Sequence, residues 1–271
     1  MADDRSPGLF SALLRHWRGR RGMSQLDLAL AADVSSRHVS FLETGRAQPS
    51  EDMVLRLATT MQVPLREQNE MLVAAGFESA YGQPTVEEAL AGPIGQAVER
   101  MFAVHEPYPM IVMNGAYDLL RMNHGAQALL GAFLADPTAL GPTPNALKAV
   151  FDPAQLRPFV VDWERQAHAL LSRLHREVLH RRHDERLAAL LDAVLAQPGV
   201  PESWRQPDFS VPPGATITLR LRRGELEAGF LTTVTVFNGP MNVTLEELQI
   251  ESYFPLDATT EETCRQLAAS G

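Results

Sequence analysis

Apolar positions in "LFSALLRHWRGRRG" fall at Leu9/Phe10, Leu13/Leu14 and Trp17, one face of a helix. Gly19 and Gly22 suit its end, so the spacing predicts a first helix over about 8–20. Ser24 followed by Asp27 is a capping-box-like start to a second helix, with Leu26, Ala29 and Leu30 as its expected buried stripe and an end near Asp33. A third follows in "SRHVSFLE". There Val39 and Leu42 form one narrow apolar face and leave Ser36, Arg37, Ser40 and Phe41 outward. "PSEDMVLRLATTM" and "VPLREQNEMLVAAGF" predict a fourth and a fifth helix, opened by Pro-Ser and Pro, with acids in the first turn.

Past the turn-rich "ESAYGQPT", residues 78–85, the pattern changes. A helix at about 85–105 is interrupted near Gly92-Pro93, and "MIVMN" and "YDLLRMN", separated by Gly115-Ala116, read as a hairpin. "HGAQALLGAFL" is helical, "DPTALGPTPN" is a loop, and Pro153 to Ala196 is strongly helical. The period then becomes two: in "TITLRLR", Ile217, Leu219 and Leu221 alternate with Thr216, Thr218, Arg220 and Arg222. "GFLTTVTVF" and "LEELQIESYF" continue as strands, with turns at Arg223-Gly224 and Asn238-Gly239-Pro240, which makes an antiparallel meander. With the hairpin this predicts about five strands with helices on one face, an α+β domain. The expected organisation is a helical domain over 1–80, a linker and connecting helix over 81–106, the sheet domain over 107–257 and a tail over 258–271.

Composition agrees with two unequal domains in 271 residues, 45% hydrophobic and 21% charged. The longest apolar runs are too short for a bilayer, and "MADDRSPG" lacks the apolar core of an export signal. One cysteine, Cys264, excludes an internal disulfide and suits a reducing cytoplasm. The net charge of −9 is unevenly spread: over 15–46, Arg15, Arg18, Arg20, Arg21, Arg37 and Arg46 face only Asp27, Asp33 and Glu43, a local +3. A basic head on an acidic body is what a DNA-reading module joined to a partner domain requires. Lys148 is the only lysine, so nearly all positive charge is guanidinium.

With Gln25 as position one of the helix pair, Ala29 is the fifth residue, where steeply crossing helices leave room for a methyl group only. Val39 and Leu42 are the fifteenth and eighteenth. The outward set on the third helix is the arrangement of a recognition helix entering the major groove, with Phe41 able to touch thymine methyl groups. Gln25, Ala29, Val34-Ser35, Val39, Leu42-Glu43 and Gly45 make residues 9–75 resemble a lambda-repressor-type helix-turn-helix of the xenobiotic-response-element family. The resemblance implies that Gln25 holds a phosphate while Ser36, Arg37 and Ser40 contact bases; Phe41 and Arg46 complete the DNA-binding set. Asp33 stands where that family usually has glycine, and aspartate tolerates the left-handed conformation. The bland alternative is that "SRHVSFLE" is a protein-contact face.

Further along, "EPYP", "NALKAVFDP", "LRPFVVDWE" and a basic, leucine-rich helix make the chain similar to the MmyB-like regulators over about 9–195. Asp162 replaces their usual asparagine before the tryptophan, and their late His-Pro and glycine are missing. The resemblance implies a PAS-like domain behind the helix-turn-helix that binds a small apolar ligand such as a fatty acid. For that pocket Tyr108, Trp163, Phe230 and Phe237 are the wall candidates, and Arg121, Arg165 and Arg220 the candidate carboxylate anchors; ordinary core aromatics and exposed arginines are the alternative reading. His175, His180, His183, Glu177 and Asp184 crowd one helix, but "HREVLHRRHDER" reads as a solvated charged face, so no metal is expected. No nucleophile elbow or phosphate-cradling loop is present, and no enzyme is expected. The expected function is a cytoplasmic bacterial transcription regulator, a homodimer on a palindromic DNA operator, with no membrane partner. An interaction adaptor with a non-sensing dimerisation domain is the alternative.

Overall fold

The computed structural model describes residues 8–136, 141, 143–181, 184–207, 217–239 and 242–270. They form two compact units, one of residues up to Thr85 plus Asn238–Glu246, the other of Val86–Phe237 and Glu247 onward.

The first unit holds α1 (Leu9–Arg20), α2 (Gln25–Ala31), α3 (Ser36–Glu43), α4 (Glu51–Thr60) and α5 (Leu65–Ala74). Serines start the short helices: Ser24 and Asp27 exchange side-chain and backbone hydrogen bonds, Ser35 accepts from the His38 amide, and Ser50 accepts from that of Met53. Asp33 is left-handed at φ 53°, as expected, and the Val34 amide reaches back to the Ala29 carbonyl to close α2. The buried face of α2 differs from expectation. Leu28 and Ala29 are in the core, while Leu26 and Leu30 stay 57% and 73% exposed. A seven-residue helix buries a narrow strip, and Ala29 at the crossing makes Leu28 its neighbour in the core. Residues 238–246 complete the unit: the Val243 amide donates to the Gly82 carbonyl, and Glu246 accepts from the Leu65 amide at the start of α5, where Pro64 gives no side-chain cap.

The second unit begins with α6 (Val86–Ala89) and α7 (Gly92–His105), separated at the expected break. Next come β1 (Met110–Met113), β2 (Leu119–Met122), α8 (His124–Phe133), α9 (Ala146–Phe151), α10 (Trp163–His180) and α11 (Glu185–Leu195). The expected long helical stretch is therefore broken, with a 3-10 turn at Arg157–Phe159 before α10. Then follow β3 (Ile217–Arg223), β4 (Leu226–Val236), β5 (Gln249–Pro255) and α13 (Ala258–Ser270), while α12 (Val243–Glu247), between β4 and β5 along the chain, lies in the first unit up to Glu246. "LEELQIESYF" is thus helix before strand, and the residues expected as a tail form a helix. Thr260 and Thr263 of α13 bond to Gly229 and Glu227 of β4.

All pairings in the five-stranded sheet are antiparallel, in the order β2-β1-β5-β4-β3. Register sets the faces: Leu219 opposes Phe230, Thr232 opposes Tyr253, and Val234 and Ile111 both oppose Glu251. These share one face, packed against α8 to α11 around Phe133, Phe151 and Leu174. On the other face, His105 of α7 meets the Tyr253 carbonyl at 3.1 Å and the Phe254 ring at 5.2 Å.

Candidate functional site

In the head, α3 offers Ser36 and Arg37 exposed, Ser40 and Phe41 half-buried, with the Arg37 guanidinium 5.2 Å from the Phe41 ring. Arg46 is exposed just beyond. Behind this surface the buried carboxylate of Glu43 takes Arg18 of α1 at 2.6 and 3.1 Å and Gln25 of α2 at 2.7 Å. One α3 residue thus binds all three helices and sets the aim of Gln25. A bidentate, charge-assisted pair of this kind is among the stronger polar contacts available.

In the second unit, two cavities of about 70 Å³ each lie between the sheet and α8 to α10. Their walls share Ala146, Val150, Leu219 and Tyr253. Carbon lines the first, from Ile111, Leu119, Leu129, Leu156 and Leu221. The second ends in polar groups: Tyr117, Gln166, Arg173, Thr232, Gln249 and Glu251. Tyr117 donates to Glu177 at 2.9 Å, Arg173 holds the other oxygen of Glu177 at 2.9 Å, and Tyr253 donates to Glu251 at 3.2 Å. Burial raises the Glu251 carboxyl above its ordinary value. Burial and then the neighbouring Glu177 push the Tyr117 hydroxyl far above the usual phenol range.

Tyr117 is left-handed at φ 66°, a costly backbone for an aromatic residue. Asn114 holds it there by accepting from the Ala116 and Asp118 amides, and Asn145 by donating to the Ala116 carbonyl.

The ligand candidates named from sequence stand elsewhere. Arg121 opposes Val112, on the face away from the cavities, and pairs with Glu99 at 3.1 Å. Arg220 opposes Gly229 and alternates with the cavity residues Leu219 and Leu221, so it too lies on the far face. It lines a separate groove with Asp257 and Thr260. Arg165 is 75% exposed beside Asp162. Trp163 is a packing post: its indole donates to the Val150 carbonyl at 2.9 Å, Trp204 stacks on it at 5.8 Å, and the Arg157 guanidinium lies over it at 3.6 Å. Phe230 is wholly buried against Tyr253, Tyr108 packs beside His105, and Phe237 follows the end of β4. None of the seven lines the two cavities. Tyr117, Arg173, Glu251 and Tyr253 went unread, although Gln249, Glu251 and Tyr253 alternate in "QIESYF", a polar edge facing a core. Of the histidine cluster, His175 is buried with its ring on the Trp204 carbonyl, and the His180 side chain and His183 lie outside the described residues. Asp162 is left-handed at φ 51°, a conformation shared by aspartate and asparagine, which accounts for the exchange there.

Comparison with known families decides the class. A model of the MmyB-like transcription regulator ligand binding domain matches residues 94–267, and one of a helix-turn-helix domain matches 9–71. The chain belongs to the MmyB-like transcription regulators. It carries a helix-turn-helix domain and a transcription-regulator ligand-binding domain, and neither matched family is an enzyme family. Comparison with curated proteins yields no matching relative. A solved structure described as an RNA-binding light-oxygen-voltage receptor is 16% identical, with a TM-score of 0.28, covering 94% of this chain and 64% of its own. The chain thus spans less than two thirds of that structure, a likeness too loose to bear on function. Among the described residues, no helix of the MmyB-like chain is long and apolar enough to cross a membrane.

Proposed function

We propose that two copies of this MmyB-like chain read a palindromic operator. Ser36, Arg37, Ser40 and Phe41 meet base edges, Gln25 and Arg46 meet phosphate, and a small apolar ligand, a hydrocarbon body with one polar end as in a fatty acid, sets the affinity. The observation that carries the DNA half is the exposed polar set on α3 backed by the Glu43 clamp. One helix pair offers few base contacts, so two half-sites roughly 34–36 Å apart supply the discrimination. The ligand half rests on the paired cavities, whose apolar end suits an aliphatic body.

Fluorescence anisotropy on genomic fragments tests the first half: binding is expected at low salt, falling linearly in log affinity against log salt through counterion release. No binding at low salt would remove the reading. Native mass spectrometry before and after organic extraction tests the second, with a stoichiometric aliphatic molecule expected. A rival reading, an adaptor that docks a protein, draws on the exposed Leu26 and Leu30 of α2. An apolar contact of that kind would hold at high salt, where DNA binding fails.

A further inference from the structure

The connection between β4 and β5 leaves the sheet and returns to it, and between those points Asn238–Glu246 belongs to the helical head. It is anchored there. Val243 is wholly buried and Leu245 nearly so. The Val243 amide donates to the Gly82 carbonyl at 3.0 Å, and the Thr244 hydroxyl donates to that of Pro84 at 2.6 Å. The Glu246 carboxylate accepts from the Leu65 amide at 2.8 Å, which caps α5 in place of Pro64, a residue with no side-chain acceptor. Met71 and Leu72 of α5 lie in the head core, so this cap serves the whole unit.

Both roots of the strap lie at the second cavity. The last rung of the β4–β5 ladder pairs Val236 with Gln249, and Gln249 and Val234 are cavity wall. On the return, Glu247 is held by Arg186 of α11 at 3.2 Å. A methyl group at Gly115 would stand 2.6 Å from the Arg181 guanidinium and 3.8 Å from the Glu247 carbonyl. The β1–β2 turn, which carries the wall residue Tyr117, is therefore packed without slack against the end of α10 and the end of the strap. A shift of this wall moves the strap's roots.

Cavity size sets the direction. Each cavity is about 70 Å³, whereas a pocket for a small organic ligand takes roughly 300 Å³ or more. An aliphatic body enters only if the walls part. Ile111 and Leu221 are buried, while Val234 and Val236 are 40% and 61% exposed, so the strap end of the sheet is the side that yields.

We infer that Asn238–Glu246 is a regulatory strap: filling the cavity shifts its roots, withdraws Glu246 from the start of α5 and loosens the head that carries the recognition helix. This rests on the reading of the cavity pair as the ligand site. Linkage makes the effect reciprocal, so a change that frees the strap also eases ligand entry.

Variants of the full chain that each lose one helix cap in the head test it, with decanoate as the probe. Glu246→Ala removes the cap of α5, and Ser50→Ala removes that of α4, where the serine accepts from the Met53 amide. Both are expected to lower the denaturation midpoint of the head. Only Glu246→Ala is expected to tighten decanoate binding in calorimetric titration, by about fivefold. Glu246→Gln keeps a carbonyl acceptor and is expected to stay within about twofold of the unaltered chain. In the unaltered chain, saturation with decanoate is expected to quicken hydrogen exchange in the first turn of α5 by at least about threefold. Should Glu246→Ala fail to fold, that exchange measurement decides alone. Exchange at α5 that is unchanged or slowed in the decanoate-bound chain, or equal decanoate affinity in Glu246→Ala and Ser50→Ala, would overturn the strap and leave the cavity reading standing. No binding of decanoate to the unaltered chain would overturn the cavity reading and the strap with it.

Discussion

In the helical head, the buried carboxylate of Glu43 is met by a guanidinium at 2.6 Å and an amide at 2.7 Å. In the sheet domain, Glu251 is buried with only the hydroxyls of Thr232 and Tyr253 on its oxygens. The first carboxylate is compensated, and it joins α1, α2 and α3 into one rigid piece. The second has hydroxyl donors and the attraction of Arg173, and burial still opposes its ionisation. A buried carboxyl at the end of an apolar cavity is a group that burial alone would keep neutral.

Deletions separate the two regions first. The largest loss is expected from Phe230→Ala, since a wholly buried ring leaves a cavity costing about 3–5 kcal/mol. Thermal melting should show that loss in the sheet domain alone; a ring that merely touched ligand would change ligand affinity and leave the melt in place. In the head, Glu43→Ala strands Arg18 and Gln25 and should cost about 3 kcal/mol, read by chemical denaturation followed at Trp17. A loss under about 1 kcal/mol would mean that the clamp is no more than a surface pair.

Arg37→Ala should leave stability within about 0.5 kcal/mol and weaken cognate DNA by about 1–3 kcal/mol with relaxed base preference. Equal losses on cognate and random DNA would make it a phosphate contact. Glu251→Gln should stabilise the sheet domain near pH 8, because it removes a carboxyl whose ionisation burial opposes. The sign follows from proton binding. The folded carboxyl keeps its proton to higher pH than the unfolded one, so its contribution is whole below the ordinary glutamate value and fades as pH rises through the folded value. Melting temperatures against pH should therefore slope less in the variant, and an unchanged slope would assign the titration elsewhere. Smallest of all, Arg121→Ala, which removes an exposed pair with Glu99, should change stability and ligand affinity by less than about 0.5 kcal/mol.

How much of this could be read along the chain depends on distance. The head was legible because its signals are local: a serine cap acts three residues away, α3 exposes residues one turn apart, and the turn at Asp33 needs only one residue that tolerates φ 53°. Its failure is instructive. Leu26 and Leu30 are exposed while Leu28 is buried, because which strip of so short a helix is covered depends on its neighbours. In the sheet domain, period-two alternation announced the strands, and it carried one message that the residue types obscured: an arginine between Leu219 and Leu221 points away from whatever those leucines line. The polar end of the cavity was beyond such reading. Tyr117, Arg173, Thr232 and Glu251 meet only because β5 inserts between β1 and β4 and α10 crosses over them, and no spacing along the chain encodes that register. The sequence by itself determined the helix pair, the strand periods and the two-part organisation, since propensity and capping act within a few residues. The tertiary structure alone decided which charged groups share a buried space, because sheet register and helix placement are set by the whole core at once.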